Sequence, residues 1–255
     1  IKDVEECLAD AYRGETVWPV GSGRHTRDKA GDPQLPLAGL NSILACDSQS
    51  WTVCVEPGVT FAQLAISLED GGGSLSNWRR EHPESTMGGL LSRYLPVQPA
   101  LWNGSVREHC VALSALTGGG DEYRYLCAPR KAAGPDLRHF FLGAEGRFGI
   151  ITAATLGVAP SPEVRRAVRI TCESMVTAAA IVTSAFQRGL RCPNLLISGR
   201  RREIWALIEG ARATVQMMAD ILESAAHAEG ARYQSLDPDD YYDPGRGDLR
   251  AGADP

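Results

Sequence analysis

Trp18-Pro-Val-Gly-Ser-Gly-Arg-His-Thr26, Pro83-Glu-Ser-Thr-Met-Gly-Gly-Leu-Leu-Ser92 and Gly143-Ala-Glu-Gly-Arg-Phe-Gly-Ile-Ile-Thr152 are three glycine-bearing loops set far apart along the chain. In each, small residues let backbone N–H groups approach a ligand closely. The hydroxyls of Ser22, Ser85, Thr86 and Thr152 add donors of the kind a buried pyrophosphate requires. The first loop starts like a G-x-G-x-x-G dinucleotide fingerprint, but Thr26 stands at the third glycine, and Arg27-Asp-Lys-Ala-Gly-Asp-Pro33 cannot open an amphipathic helix. A nicotinamide-binding Rossmann site is therefore disfavoured, and taken alone this loop reads as an ordinary surface turn.

Between the loops the chain predicts short, mixed elements. Val4, Cys7, Leu8 and Ala11 recur at helical spacing ahead of a short apolar strand, Thr16-Val-Trp-Pro-Val20. Trp51-Thr-Val-Cys-Val-Glu56 reads as a strand closed by the turn pair Pro57-Gly58. Thr60-Phe-Ala-Gln-Leu-Ala-Ile-Ser-Leu68 reads as a helix, with Thr60 as its N-cap and Gly71-Gly-Gly73 as its stop. Such a pattern indicates an α+β domain rather than a regular alternation of parallel strands and helices.

Beyond Pro160 the pattern becomes regular. Ala167–Cys172 reads as a strand, Ser174–Leu190 as a helix capped by Ser174, Asn194–Ser198 and Glu203–Glu209 as a hairpin, Ala211–Ala228 as a helix and Ala231–Leu236 as a strand. That succession is βαββαβ, the ferredoxin-like order. Asp237–Pro255 is acidic, rich in Pro and Gly, and without apolar periodicity, so it reads as a flexible, disordered tail. The expected organisation is a domain over 1–160, a ferredoxin-like domain over 161–236 and a tail over 237–255.

With 255 residues and 44% hydrophobic content the chain can bury a sizeable core. Its net charge of −5, with basic residues scattered, argues against a nucleic-acid footprint. No apolar run approaches the length of a membrane-spanning helix, and Ile1-Lys-Asp-Val-Glu-Glu6 is too acidic and polar for a secretory signal. Seven cysteines, an odd number without any C-x-x-C pair, lack the usual spacing for zinc or an iron–sulfur cluster. The expectation is no metal site and a reducing, cytoplasmic setting, with most thiols buried as small hydrophobes in stretches such as Trp51–Val55. His109 and His139 read as parts of a core-flanking strand and helix, neither with a carboxylate at a spacing that marks a metal site or a dyad.

Read in order, Pro19–Thr26, Val55–Leu64, Pro83–Ser92, Gly104–Glu108, Arg130–Leu137 and Gly143–Thr152 resemble the FAD-binding domain of the p-cresol methylhydroxylase (PCMH) type, in the vanillyl-alcohol oxidase superfamily. The resemblance covers about residues 4–160, and the ordered set is far more specific than any one piece. Val55–Leu64, Gly104–Arg107 and the segment after 160 are similar to the FAD-binding subunit of glycolate oxidase. Ala128–Gly146 is similar to alkyldihydroxyacetone-phosphate synthase.

The resemblance implies a non-Rossmann FAD site between two small α+β subdomains. Val20, Gly21, Ser22, Gly23, Arg24, His25 and Thr26 would wrap the pyrophosphate. Pro83, Ser85, Thr86, Gly88 and Gly89 would run beside the ribityl chain and ring, and Glu145, Gly146, Gly149, Ile150 and Ile151 would meet the adenine end and ring edge. In this reading the glycines lack a Cβ where backbone must lie against cofactor. Arg24 either adds a charge-assisted hydrogen bond or points to solvent. Relatives with covalent flavin attach it through a histidine directly after the glycine pair. Arg24 intervenes before His25 here, so the expectation is non-covalent FAD. No catalytic residue is assigned, and His82 is either a solvated loop histidine or a group beside the flavin that acts on a substrate proton. The chain departs from the family pattern at Arg93-Tyr-Leu-Pro-Val-Gln-Pro99 after the second loop, and at Arg147-Phe148 where Thr-Leu is usual. Those departures bear on the substrate face more than on the cofactor.

The function so implied is that of an FAD-dependent oxidoreductase, or the FAD-binding subunit of one. It would oxidise a small 2-hydroxy acid such as glycolate or lactate by hydride transfer to flavin, with the βαββαβ unit as cap and further subunits of a redox complex as partners. Two other readings stay open: a flavin-binding subunit that is not itself catalytic, and a cofactor-free interaction module. Glycines at every expected approach point argue against the last.

Overall fold

The computed structural model describes residues 17–23, 34–75, 83–93, 106–127, 134–192 and 194–241. They divide into two compact units that meet in sequence at Pro160 and Ser161. The helix expected around Val4–Ala11 lies outside the described residues.

In the first unit, β1 (Trp18–Val20) and β2 (Gln34–Pro36) form a short parallel pair. β3 (Ile43–Asp47), β4 (Thr52–Val55), α1 (Phe61–Asp70), β5 (Gly73–Ser74), α2 (Met87–Arg93), α3 (Val106–His109), β6 (Cys110–Thr117), β7 (Glu122–Tyr125), β8 (Gly149–Gly157) and β9 (Ala159–Pro160) follow. The main sheet is antiparallel throughout, in the order β3-β4-β8-β6-β7, and β5 pairs with β9. This is the α+β arrangement expected from the alternation of short elements.

α1 begins where the sequence places it. Thr60 Oγ1 accepts from the Gln63 N–H (3.2 Å) while Gln63 Oε1 accepts from the Thr60 N–H (2.9 Å), a reciprocal capping box. Leu64 and Leu68 of α1 and Met87, Leu90 and Leu91 of α2 pack with Val53, Val55, Leu113, Ile151 and Leu156 of the sheet. A smaller cluster joins Leu116 and Ile150 to Leu35 and Leu37 beside β2. β8 feeds both clusters because successive side chains of a strand face opposite ways. Its register runs from Ser114–Ala153 to Ala115–Ile151, and this bulge leaves Thr152 as the extra residue and brings Ile151 to the same side as Ala154 and Leu156, with Ile150 on the other. Thr152 is thus a buried strand residue, not part of a loop.

A 3-10 turn, Leu137–Phe140, leads into the third loop, and Asp136 organises it. Its carboxylate accepts from the Arg138 N–H (3.1 Å), grips the Arg138 guanidinium with both oxygens (2.9 Å from Nε to Oδ1, 2.6 Å from Nη2 to Oδ2) and lies 3.3 Å from His139 Nε2. Arg138 also donates to the Cys110 carbonyl, and its guanidinium stands 4.5 Å from the centre of the Tyr125 ring. His139 therefore does have a carboxylate partner. A search for metal or dyad spacing passes over it because Asp136 is a cap, ahead of the turn. The Arg138 hydrogen bond holds the Asp136 carboxyl below its ordinary value.

Of the described cysteines, Cys110, Cys172 and Cys192 are buried, and burial pushes the Cys110 and Cys192 thiols up to about 12. Cys54 is only half-buried and Cys46 and Cys127 are exposed, so burial is not general; β3, which carries Cys46, is an edge strand.

In the second unit β10 (Val164–Thr171), α4 (Met175–Gln187), β11 (Asn194–Ser198), β12 (Glu203–Gly210), α5 (Arg212–Ala228) and β13 (Arg232–Leu236) form an antiparallel sheet in the order β11-β12-β10-β13. This is the ferredoxin-like topology. Ser174 caps α4 by accepting from the Thr177 N–H (3.1 Å). Val168, Ile170, Ile204 and Ile208 pack beneath Ile181 of α4 and Leu222 of α5. The expected tail is ordered at its start. Pro238–Asp240 form a 3-10 turn capped by Asp237, the Tyr241 hydroxyl donates to the Asn194 carbonyl (3.3 Å), and its ring stands edge-on to Trp205 at 6.5 Å. Composition could not reveal this, because one aromatic anchor fixes the segment. Residues from 242 onward lie outside the described residues.

Two stability measurements test this account. Thr60→Ala should lower the unfolding free energy by about 1 kcal/mol in a denaturant titration, with Thr60→Ser keeping most of it. Asp136→Asn should cost about 1 kcal/mol at pH 7. Because the folded-state value of Asp136 is depressed, its contribution is complete above the unfolded value of about 3.8 and is lost as pH falls through the folded one. The gap between wild type and variant should therefore close below about pH 4; a gap constant with pH would refute the ion pair's role.

Candidate functional site

The first unit holds a cleft of about 280 Å³ built from five stretches of chain. The end of β1 supplies Trp18, Pro19 and Val20, continuing into Gly21, Ser22 and Gly23. β1 is held beside β2 by their parallel pairing and by the Leu37 N–H, which donates to the Val20 carbonyl (2.8 Å) and places Leu37 on the wall. The start of α2 supplies Ser85, Thr86, Gly88 and Gly89, and its end supplies Ser92 and Arg93. The third loop and the start of β8 supply Glu145 to Arg147 and Gly149 to Ile151.

Pro57 lies where these stretches are tied together. Its carbonyl accepts from the Gly88 N–H (2.8 Å), and the neighbouring Gly58 N–H donates to the Leu40 carbonyl (2.7 Å). Further bonds dock α2 against α1: the Phe61 N–H donates to the Ser85 carbonyl and the Met87 N–H to the Val59 carbonyl, both at 2.8 Å. At the other end of α2, the Gly143 N–H donates to the Leu91 carbonyl (2.9 Å) and the Glu145 N–H to the Ser92 carbonyl (2.8 Å), which fastens the third loop to the helix.

The glycines divide into two kinds. A Cβ on Gly21 would run into Thr86 Oγ1. On Gly88 it would stand 2.6 Å from Pro57 Cβ, on Gly146 2.8 Å from Pro19 Cγ, and on Gly149 it would strike the Leu116 carbonyl. At these four the protein's own segments also press on the position, while the backbone of each lines the cleft. Gly23 is the other kind: its φ is +73°, and a Cβ there would meet nothing within 4 Å among the described residues. Glu145, at φ +54°, carries a side chain in the same left-handed region and lines the cleft.

Of the residues proposed from sequence, Val20, Gly21, Ser22, Gly23, Ser85, Thr86, Gly88, Gly89, Glu145, Gly146, Gly149, Ile150 and Ile151 meet in this cleft. Arg24, His25, Thr26 and His82 lie outside the described residues. Pro83 is exposed and does not line it; its carbonyl accepts from the Ala62 N–H (3.0 Å) at the head of α1. Thr152 is not in the wall either. Sequence reasoning missed Trp18, Pro19, Leu37, Pro57, Ser92, Arg93 and Arg147 as lining residues. Pro57 had a signal, since its turn belongs to the ordered set, and Arg93 and Arg147 had one as departures from the family pattern. Leu37 had none, because only the pairing of β1 with β2 brings it there.

The wall combines apolar surface from Trp18, Val20, Ile150 and Ile151 with the hydroxyls of Ser22, Ser85 and Thr86, two guanidinium groups and one carboxylate. That mixture fits a flavin nucleotide, whose ring is apolar and whose phosphates need many donors. Among the described residues no group of three or more His, Cys, Asp and Glu stands together as a metal site requires, and no helix is long and apolar enough to cross a membrane.

Comparison with known proteins agrees with this cleft. Residues 1–125 match the family described as FAD binding domain. Glycolate oxidase subunit GlcD of Bacillus subtilis is 29% identical over 172 residues, 66% of this chain and 37% of that protein. A solved structure of alkyldihydroxyacetonephosphate synthase superposes with a TM-score of 0.78 at 17% identity, covering 92% of this chain and 50% of that one. The structure of p-cresol methylhydroxylase with substrate bound gives 0.71 at 17% identity, covering 95% and 58%. The chain thus spans well under half of the curated relative and about half of the solved ones. Residues 1–125 thus carry an FAD binding domain, and the chain shares the fold of the PCMH-type flavoproteins.

Proposed function

We propose that this chain is the FAD-binding part of an oxidoreductase that oxidises a small 2-hydroxy acid such as glycolate or lactate, acting alone or as one subunit of a redox complex. The observation that carries the reading is the cleft itself, in which segments more than a hundred residues apart in sequence meet around Gly23. Val20–Gly23 would hold the pyrophosphate through main-chain N–H groups and the Ser22 hydroxyl. Ser85, Thr86, Gly88 and Gly89 would lie along the ribityl chain and ring, and Glu145 to Ile151 at the remaining edge. When bound, FAD supplies the two-electron acceptor for oxidation of the substrate C–H bond. Arg24, in the place directly after the glycine pair, supports a non-covalent complex.

Residues 161–236 would act as the cap domain that such flavoproteins carry, supported by their ferredoxin-like topology. The substrate class rests on the likeness to a glycolate oxidase subunit. A cytoplasmic setting belongs to the same proposal and is supported by the free thiols.

The direct test is the absorption spectrum after FAD is supplied and the excess removed. Bands in the near-ultraviolet and blue are expected, bleached anaerobically by glycolate or lactate; a colourless protein would overturn the reading. Gly23→Asn, a residue that tolerates the left-handed region, should weaken FAD retention while leaving the circular dichroism spectrum and melting temperature close to wild type, whereas Gly23→Val should abolish retention and also lower the melting temperature through backbone strain at φ +73°. Gly146→Val, which must displace Pro19, should lose stability and FAD together.

A further inference from the structure

Arg93 and Arg147 both line the cleft, and both stand where the family pattern has small or neutral residues. They come from segments 54 positions apart, yet the backbone joins them at one place: the Ser92 carbonyl, next to Arg93, accepts from the N–H of Glu145, two residues before Arg147. Arg93 is half-buried and its Nε donates to the Gly89 carbonyl (3.1 Å), so the stem is fixed along α2. Arg147 is exposed, at the turn in which its N–H donates to the Ala144 carbonyl (3.1 Å). Among the described residues Glu145 is the carboxylate in the same wall, beside the two guanidinium groups. Guanidinium groups on the wall of an apolar and hydroxyl-lined cleft attract an oxyanion and offer it charge-assisted N–H donors.

We infer that Arg93 and Arg147 form an oxyanion subsite of the cleft that takes a phosphate or carboxylate group, supplied by the cofactor's pyrophosphate or by the acid group of the substrate. This rests on the flavin reading above and goes beyond it, because it assigns anion selection to two side chains to which that reading gives no role. The two sources separate in one set of titrations. Flavin fluorescence gives the ratio of FAD to riboflavin affinity, in which the ADP moiety with its two phosphates is the difference, and the ratio of FMN to riboflavin affinity, in which one phosphate is. The change in flavin absorbance with oxalate, an acid that is not oxidised here, gives carboxylate binding to the FAD-loaded protein.

Arg147→Gln and Arg93→Gln should each weaken phosphate or carboxylate binding, so measured, by on the order of tenfold, and Arg147→Lys should restore part of the loss. A fall in both flavin ratios with unchanged oxalate binding assigns the subsite to the pyrophosphate. Retained FAD with lost oxalate binding assigns it to the substrate's carboxylate. Since Arg93→Gln also removes the bond to Gly89, Arg147→Gln decides the matter if the first variant melts early. Wild-type protein that binds FAD, with the FMN-to-riboflavin ratio and oxalate binding unchanged in Arg147→Gln and in a folded Arg93→Gln, overturns the subsite alone. Wild-type protein that takes up no flavin overturns the reading beneath it.

Discussion

Thr86 sits against Gly21, Pro57 against Gly88 and Pro19 against Gly146, each closer than a Cβ would permit. These approaches bring the end of β1, the start of α2 and the third loop around one cavity, and a side chain at any of them would push two segments apart. The hydrogen bonds from Gly88 to Pro57 and from Glu145 to Ser92 become available only at that separation. The cleft is thus a product of close backbone packing, and its polar character follows because exposed main chain and short hydroxyl side chains are what such packing leaves at the surface.

The rest of the first unit holds those segments in place. β8 runs through the middle of the sheet and delivers Gly149, Ile150 and Ile151 to the cavity at one end, and its bulge at Thr152 brings Ile151 to the same face as Ala154 and Leu156. α1 is fixed by its capping box, and α2 is docked to it by main-chain bonds. Asp136 and Arg138 anchor the approach to the third loop onto the carbonyl of Cys110 at the head of β6. Each device acts on backbone rather than on a ligand, which suits a site that must be shaped before a large cofactor enters.

The second unit has a simpler logic. Two helices with apolar faces cover one side of a four-stranded sheet, and α4 starts at a serine whose hydroxyl takes the orphan N–H of its third residue. Its order could be read residue by residue because its helices each present one apolar face to a single core and its central strand β12 is a continuous apolar run, buried from Ile204 to Ile208.

Local chemistry alone determined much of this protein. Caps at Thr60 and Ser174, the Pro57-Gly58 turn and the helical and alternating periods beyond Pro160 are written in neighbouring residues, and the ordered loops pointed to the family and to thirteen lining residues. Strands β6 and β8 were harder, since Cys110–Thr117 and Gly149–Gly157 contribute to clusters on both sides and so lack a clean alternation. Only the tertiary structure decided that Leu37 joins the wall through a parallel pairing, that Tyr241 holds down an acidic, Pro-rich segment, and that neighbouring segments press on four of the glycines while a Cβ on Gly23 would meet nothing among the described residues. Those outcomes depend on which distant segment lies opposite a residue. A glycine pressed by a neighbouring loop and one with no such neighbour have the same side chain, and only the fold tells them apart.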